Sequence, residues 1–326
     1  MGNGTDRYPI VVIGGSAGAL EPLVEIVSRF PPDFAAYVFV VVHVPADAVS
    51  SLPNILARSG HLFAAHALDG APLLPRRIIV APPDSHLMVD DGVMHVGTGP
   101  KENFHRPSID VLFRSAARTF RTNAIGVLLS GALDDGVDGL RSIRRAGGTT
   151  IVQDPEEAAF RGMPQAAVQA NVVDVIAPAG SIADRLCEEV SDRATRGAAF
   201  TEPGGVAPDE RKEGQASIFT CPDCSGTLFE LDTEGDMRFR CRTGHAYSAA
   251  SLLSGQSDGI ERGLWVAIRA LEERTDLYRK LAGRASLRSD PSTAQRFERR
   301  ATAAKSDIDD IQRALNQIMS RPRMEA

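Results

Sequence analysis

Short apolar runs rich in Val and Ile alternate with segments of helical periodicity through the first part of the chain. The apolar runs predict strands at 10–13, 37–42, 77–81, 92–96, 124–129, 149–152 and 172–176. The periodic segments predict helices at 20–27, 53–58, 108–118, 136–146 and 163–170. Because near-continuous apolar strands that alternate with helices are typical of parallel sheets buried on both faces, we predict a doubly wound, mostly parallel α/β domain at residues 8–192.

The rest of the chain divides into a linker, a small module and a helical tail. Gly, Pro, Ala and mixed charges at 193–216 predict a flexible linker. A small ribbon-like module is predicted at 217–254, where the segments 227–231 and 237–240 alternate like a β-hairpin. An antiparallel helical hairpin is predicted at 255–322, with Asp290 as the N-cap of its second helix. Its apolar residues recur in steps of four and three, as in a coiled-coil seam, at Ile260, Leu264, Ala267, Leu271, Tyr278, Leu281, Phe297, Ala301, Ala304, Ile308, Ile311, Leu315 and Ile318. An ordinary two-helix tail and an element for oligomerisation or partner docking both fit this pattern.

The composition narrows the class of protein. The chain has 326 residues, of which 43% are hydrophobic, and a formal net charge of −6. An acidic chain lacks the basic excess that a general nucleic-acid binder needs, so we predict no nucleic-acid partner. The longest apolar run, 34–42, is shorter than the roughly 20 residues that span a bilayer, and residues 1–7 lack the layout of a signal peptide. We therefore predict a cytoplasmic protein without membrane insertion.

A serine lies on the turn between the first predicted strand and the first predicted helix. Ser16 is flanked by Gly14 and Gly18, as in the Gly-x-Ser-x-Gly elbow that exposes a nucleophile on a tight turn. The N-terminus of the following helix offers free N–H groups that suit a developing oxyanion. A glycine-rich phosphate-binding loop and a simple strand-to-helix turn are the alternatives.

Further polar residues follow two other strands. His43 comes directly after the second strand, and an acidic cluster, Asp134, Asp135 and Asp138, follows the strand at 124–129. Singly, such residues are more often a structural histidine and helix N-caps. The carboxyl ends of parallel strands share one edge, however, so we expect a nucleophile, a base and a carboxylate to meet there. The order Ser, His, Asp differs from that of α/β-hydrolases, and His43 stands where a dinucleotide-binding domain needs an acidic residue.

Three of the four cysteines crowd into one short region. Cys221 and Cys224 form one knuckle, and Cys241 and His245 form a second. Three thiolates and one imidazole complete a tetrahedral zinc site with no open position, so we predict structural rather than catalytic zinc. Unligated thiols and a redox pair are the alternatives.

The α/β segment resembles the catalytic domain of the chemotaxis protein-glutamate methylesterases, the CheB type. The likeness lies in several separate motifs in the family's order: GGSAG at 14–18, HVP at 43–45, IVAPPDSHL at 79–87, HRPSIDVLF at 105–113, LSGALDDG at 129–136 and GMP at 162–164. It implies a Rossmann-like methylesterase domain that hydrolyses glutamate methyl esters of a methylated chemoreceptor or similar signalling protein and releases methanol without a cofactor. Whether the same site deamidates glutamine is left open.

The resemblance also implies roles for individual residues. Ser16 is implied as the nucleophile, His43 as the base and Asp135 as the third member of a catalytic triad. The expected oxyanion donors are the backbone N–H groups of Ala17, Ala132 and Leu133. Arg106 is a candidate for contact with an acidic substrate segment, and an ion pair with Asp110 is the alternative for its side chain.

The sequence departs from the family pattern at Ala17, Ala19 and Ala132, where a hydroxyl residue, a glycine and a methionine are common. Only a few residues precede the first strand, so we expect no receiver domain and no control by phosphorylation within the chain. Ala17 and the expected lack of a receiver favour a non-catalytic signalling adaptor, in which a degenerate esterase domain and the zinc and helical modules bind partners. The intact triad residues favour the enzyme.

The predicted linker separates the triad residues from the metal ligands. We therefore expect two independent cores. Loss of the metal would unfold residues from about 217 to 250 and leave hydrolysis of a small ester intact.

Overall fold

The first domain is built on one parallel sheet. The computed structural model describes residues 8–90, 92–196, 214–233 and 236–320. The strands of this domain are β1 (Ile10–Gly15), β2 (Tyr37–Val42), β3 (Phe63–His66), β4 (Arg77–Val80), β5 (His86–Asp90), β6 (Val93–Gly97), β7 (Ala124–Leu128), β8 (Thr149–Gln153) and β9 (Val175–Ala177). Parallel pairing joins seven of them in the order β3-β4-β2-β1-β7-β8-β9, and β5 and β6 form a separate antiparallel hairpin. The predicted α/β fold is confirmed.

Both faces of the sheet are covered. In β1, Val11 and Ile13 point into one hydrophobic core, and Ile10 and Val12 point into the other. The helices are α1 (Leu20–Ser28), α2 (Leu52–Ser59), α3 (Ile109–Phe120), α4 (Val137–Arg145), α5 (Gly162–Gln169) and α6 (Ala179–Arg196). The first core is completed by α1, α2 and α6, and the second by α3, α4, α5 and the β5–β6 hairpin. Because the central strands are buried on both faces, their sequences are continuous apolar runs.

Some elements differ from the sequence prediction. The sequence does not predict β3, whose central residues are alanines rather than β-branched residues, and it does not predict α6. The strand predicted at 92–96 belongs to the β5–β6 hairpin. Helix α6 reaches Arg196 and the next strand begins at Gln215, so secondary structure extends into both ends of the predicted linker. The rest of that segment, 197–213, lies outside the described residues.

A small antiparallel sheet follows. Its strands are β10 (Gln215–Thr220), β11 (Thr227–Thr233), β12 (Asp236–Cys241) and β13 (Ala246–Ser248), paired in that order. We call the segment from β10 to Leu252 the metal module; Leu228, Phe239 and Tyr247 are buried in its core. A β-bridge joins Ala246 of β13 to Glu102 of the α/β domain. The module therefore packs directly on the α/β domain, which differs from the expected separation of the two cores.

Two long helices, α7 (Ala249–Leu287) and α8 (Pro291–Met319), complete the described chain. Contacts divide the chain into one compact unit that ends at Leu252 and a second formed by the rest of α7 and by α8. Within the second unit, Ile308 and Leu315 of the predicted seam are buried in one cluster with Ile268. The side chain of Asp290 accepts a backbone N–H of the first turn of α8 at 3.1 Å, which confirms it as the N-cap.

Candidate active site

The ends of β1, β2 and β7 bring the predicted site residues to one edge of the sheet. Ser16 follows β1, and its N–H donates to the carbonyl of Ser130, just beyond β7, at 2.9 Å. His43 follows β2, and its N–H donates to the carbonyl of Gly15 at 3.1 Å. The chain turns to opposite sides of the sheet after β1 and after β7, which are neighbours, so a crevice opens there. Ser16 thus lies at the crevice where ligands of such sheets bind, and His43 follows the strand next to it.

Two glycines allow the turns that carry the site. Gly18 has φ of +72°, and a Cβ at this position would lie 2.7 Å from Cβ of Ala159. Gly136 has φ of +98°, and a Cβ there would lie 2.6 Å from Leu128. A larger residue at either position is both strained and crowded, so the turns after Ser16 and Asp135 require glycine.

His43 and Asp135 form a buried pair. His43 Nε2 lies 2.8 Å from Asp135 Oδ2, and the side chains are 6% and 2% exposed. Because a carboxylate only accepts hydrogen bonds, Nε2 carries the proton and Nδ1 carries the lone pair. Nδ1 is buried and has no hydrogen-bond partner among the described residues. The histidine is thus oriented by the aspartate and keeps one ring nitrogen able to accept a proton.

The carboxylate of Asp135 lies at the N-terminus of α3. Besides His43, it accepts hydrogen bonds at 2.7–3.4 Å from Ser108 Oγ, the N–H groups of Ile109 and Asp110, and Asn103 Nδ2. Burial alone would raise the pKa of Asp135, but the hydrogen bond from His43 and the N–H of Ile109 hold this pKa below its usual value. The carboxylate is therefore charged at neutral pH and able to stabilise an imidazolium.

A second histidine, His105, packs on His43. The two imidazole rings are stacked with their centroids 3.6 Å apart and an interplanar angle of 8°. Burial and the neighbouring His43 lower the pKa of His105 to about 4, so it is neutral at physiological pH. His105 fixes the plane of the His43 ring from one side. The sequence offers no signal for this role, because the loop around His105 follows no periodic pattern.

Only one aspartate of the acidic cluster, Asp135, contacts His43. Asp134 accepts hydrogen bonds from Ser248 Oγ at 2.9 Å and Ser251 Oγ at 3.1 Å. Asp138 forms ion pairs with arginines, at 3.4–3.5 Å, and does not reach His43. Of the three aspartates, Asp135 is the one in contact with the imidazole.

The expected oxyanion donors lie on two turns beside Ser16. Ala17 and Ala132 are exposed and Leu133 is half-buried, with φ of +62° at Leu133. Within the described residues, the N–H groups of these three donate no hydrogen bond. By contrast, the N–H of Gly131 donates to the carbonyl of Phe160 at 2.9 Å and is already engaged.

Arg106 lines a cleft in front of His43, together with Lys101, Phe104 and His105. Its guanidinium donates to Asp84 Oδ1 at 2.7 and 2.9 Å and to the carbonyls of Thr98 and Gly99. The alternative ion pair between Arg106 and Asp110 is therefore wrong. Asp110 Oδ2 instead forms an ion pair with Arg238 and accepts a hydrogen bond from Asn103 Nδ2.

The predicted metal ligands converge in the metal module. The ligand atoms of Cys221, Cys224, Cys241 and His245 all lie within 4.8 Å of one another, and the Cys221 Sγ to His245 Nδ1 and Cys224 Sγ to Cys241 Sγ separations are each 3.6 Å. A tetrahedral zinc ion with bonds of about 2.0–2.3 Å needs its ligand atoms roughly 3.3–3.8 Å apart. The pKa of Cys224 is lowered to about 6, mainly by a hydrogen bond from the backbone N–H of Gly226, and the lower pKa favours the thiolate. The cluster can therefore hold a metal ion.

The fold and the site together define an α/β protein with a serine, a histidine and an aspartate at a sheet switch point, the residue types of a serine hydrolase. The pattern of the CheB methylesterase family matches residues 11–186, and the chain belongs to this family. The crystal structure of the Thermotoga maritima CheB methylesterase catalytic domain superimposes with a TM-score of 0.54 and 32% identity, over 56% of this chain and 98% of that one.

Sequence relatives agree with the family. A protein of Anaeromyxobacter dehalogenans, named protein-glutamate methylesterase/protein-glutamine glutaminase 2, is 38% identical over 182 residues, or 56% of this chain. The match covers 53% of that relative, so the chain spans about half its length. A relative from Leptospira interrogans is 34% identical over 179 residues, and the match covers 93% of that relative. The metal module and the two C-terminal helices lie outside the family match. None of the helices in the described ranges is long and apolar enough to cross a membrane.

Proposed function

We propose that the α/β domain is a carboxylic-ester hydrolase that removes methyl esters from glutamate side chains of a methylated chemoreceptor or related signalling protein. The family and the names of its relatives support the reaction class. The observation that carries the proposal is the buried contact between His43 and Asp135, on a histidine whose backbone N–H bonds to Gly15, the residue before Ser16. An adaptor would have no need to orient a buried histidine in this way, with one ring nitrogen left unpaired.

In the proposed reaction, Nδ1 of His43 takes the proton of Ser16 as Ser16 Oγ attacks the ester carbonyl. The Nε2–H of His43 remains on the ring and donates its hydrogen bond to Asp135 throughout. Asp135 thereby holds the ring in place and stabilises the imidazolium. The imidazolium then gives its proton to the departing methoxide, and methanol leaves. A water molecule, deprotonated by the same Nδ1, hydrolyses the glutamyl-serine ester and restores Ser16. No cofactor takes part in this sequence.

The surrounding turns supply the remaining parts of the proposed mechanism. The N–H groups of Ala17, Ala132 and Leu133 are the proposed donors to the oxyanion that forms on the carbonyl oxygen. Lys101 and Arg106 line the cleft, and the positive charge of Lys101 suits a substrate segment rich in glutamate. In this arrangement, Asp84 holds the guanidinium of Arg106 in a fixed position at the edge of the cleft.

The first test is release of methanol. The purified chain is incubated with membranes that carry methylated chemoreceptors, and methanol is measured over time. We expect release that is absent with the Ser16→Ala variant on the same membranes. Binding to the membranes without methanol would support the adaptor instead and contradict the esterase. Ammonia release from receptors that carry glutamine at the methylation positions would extend the activity to deamidation.

We also propose that Cys221, Cys224, Cys241 and His245 bind one structural zinc ion, within a ribbon-like module at 217–254. Its sheet is too small to fold on a hydrophobic core alone, so the metal would supply much of its stability. The expected result is one zinc per chain by atomic emission, lost in the Cys221→Ser/Cys224→Ser double variant. Cys187→Ser is the matched control, since Cys187 lies in α6, outside the cluster. Well-folded wild-type protein that contains no metal would contradict the site.

A further inference from the structure

The strand that follows the metal ligand His245 is hydrogen-bonded to a loop of the α/β domain. The N–H of Asn103 donates to the carbonyl of Ala246 at 2.8 Å, and the N–H of Ala246 donates to the carbonyl of Lys101 at 3.3 Å. The N–H of Ser248 donates to Asn103 Oδ1 at 3.0 Å. Strand β13 thus binds the first half of the loop 101–106, at Lys101 and Asn103, through both the backbone and a side chain.

The same loop contacts the proposed catalytic residues. Asn103 Nδ2 donates to Asp135 Oδ1 at 3.2 Å, and the ring of His105 is stacked on His43. Asn103 and Phe104 have φ of +49° and +68°, which is an unfavourable conformation for residues with a side chain. Such a conformation persists only when neighbouring structure holds it. Here the bonds to β13 and the ring contact of Phe104 with Tyr247, at 5.0 Å between centroids, hold it.

A second connection reaches the turn that carries Asp135. Arg238 of β12 lies 3.5 Å from Asp110 Oδ2 and 3.4 Å from Asp138. The other oxygen of Asp110 accepts the N–H of Gly136, directly after Asp135, and the N–H of Gly139, in the first turn of α4. Asp110 is fully buried beside Asp135; burial and that neighbouring charge raise its pKa, and Arg238 opposes them. The arginine of the metal module therefore compensates a buried carboxylate that fixes the turn.

A third connection lies on the residue before Asp135. The hydroxyl groups of Ser248 and Ser251 both donate to Asp134 Oδ1. Ser248 is the last residue of β13, and Ser251 lies in the first turn of α7. The metal module thus contacts Asp135 through Asn103, through Asp110 and through Asp134. Among the module residues that the structure describes, none bonds to Ser16 or His43.

We propose that the metal module is a positioning element for the catalytic site: by holding the loop 101–106 and the turn at Asp135, it sets the geometry of the His43 and Asp135 pair. This inference rests on the proposed esterase function. It reverses the expectation from the sequence that small-ester hydrolysis is independent of the metal, because the two cores share buried polar contacts. Arg238 and Asn103 are positioning residues in this scheme, since neither reaches the reacting atoms.

The first test replaces Arg238 and measures hydrolysis of p-nitrophenyl acetate by the full chain. We expect Arg238→Gln to lower kcat roughly 10- to 100-fold, since a displacement of about 1 Å in a catalytic group costs on the order of 100-fold. KM for this small ester and the zinc content should change little, because Arg238 touches neither the ester nor a metal ligand. Arg238→Lys should restore part of kcat, since the ammonium still compensates Asp110.

The matched control is Arg242→Gln. Arg242 belongs to the same module but is exposed, with its guanidinium over the ring of Phe229 at 5.7 Å. We expect the Arg242→Gln variant to have the same kcat as the wild type. Wild-type kcat in Arg238→Gln as well would overturn the inference and leave the esterase proposal standing. A wild-type chain that hydrolyses no ester would instead refute the esterase proposal itself.

A second test requires no substitution. Amide hydrogen exchange of the wild-type chain is compared with and without zinc, the metal being removed by a chelator. We expect the amides of Asn103 and Ala246, which bond across the contact, to exchange at least about tenfold faster without the metal. The amides of β1 and β7 in the central sheet should stay protected and report that the α/β domain remains folded. Unchanged protection of Asn103 after loss of the metal would refute the coupling, even if Arg238→Gln failed to fold.

Discussion

Ser16→Ala is expected to abolish turnover of ester substrates, by on the order of 10^6 in kcat, as for removal of the nucleophile in other serine hydrolases. The reason is that the proposed acyl intermediate forms on Ser16 Oγ, which alanine lacks. The backbone of Ser16 is fixed by its N–H, which donates to the carbonyl of Ser130, and alanine can keep that bond. The fold should therefore be unchanged, with the same unfolding temperature and the same zinc content.

Ser28→Ala is the matched control for this experiment. Ser28 ends α1 in the same strand-to-helix unit, is exposed, and its hydroxyl only donates to the carbonyl of Glu25 at 2.8 Å. Its kcat should equal that of the wild type. A Ser16→Ala variant that keeps turnover within about tenfold of the wild type would remove Ser16 from the mechanism.

The central sheet could be predicted from the sequence because its strands are buried on both faces. The runs that became β1, β2 and β7 consist almost entirely of apolar residues, so their type and order are unambiguous. The alanine-containing strand β3 lies at the edge of the sheet and carries a weaker signal. The β5–β6 hairpin mixes apolar residues with His86, Asp90 and His95, so its signal is weaker, and the sequence predicts a strand only at its second half.

The edge of the sheet that carries the site could also be predicted, since parallel strands end together. His43 and Asp135 come from strand ends, and the structure brings them into contact. Asn103, His105 and Asp110 could not be found in this way. The first two lie in an irregular loop whose conformation depends on β13, and Asp110 looks like an ordinary residue in the first turn of a helix.

The packing of the metal module on the α/β domain had no signal in the sequence. Arg238 and Asp110 are far apart in the chain, and nothing in the local pattern of either links them. The glycine-rich and charged segment between the domains favours independence, yet a linker only permits separation and does not enforce it. Buried complementary charges hold the two together here, because Arg238 of the module lies beside the fully buried carboxylate of Asp110.

Asp135→Asn is expected to lower kcat by roughly 10^4, as for the aspartate of other triads. Every polar contact of Asp135 is with a donor, so an amide cannot satisfy all of them. If the NH2 group faces His43, Nε2 must accept, the ring proton moves to Nδ1, and the histidine cannot take a proton from Ser16. If the NH2 group faces Ser108 instead, a donor meets donors inside a buried site, at a cost in stability.

Asp134→Asn is the matched control and separates the triad role from the neighbouring turn. Asp134 adjoins Asp135 in sequence, but its carboxylate accepts only the hydroxyl groups of Ser248 and Ser251 among the hydrogen bonds of the described chain. An asparagine oxygen can accept both, so kcat should fall by less than about tenfold, and only through the contact with the metal module. The measurement is kcat for p-nitrophenyl acetate and methanol release from methylated receptors, with unfolding temperatures for both variants. A larger loss in Asp134→Asn than in Asp135→Asn would show that the third member of the triad is Asp134 and that the contact of His43 with Asp135 is only structural.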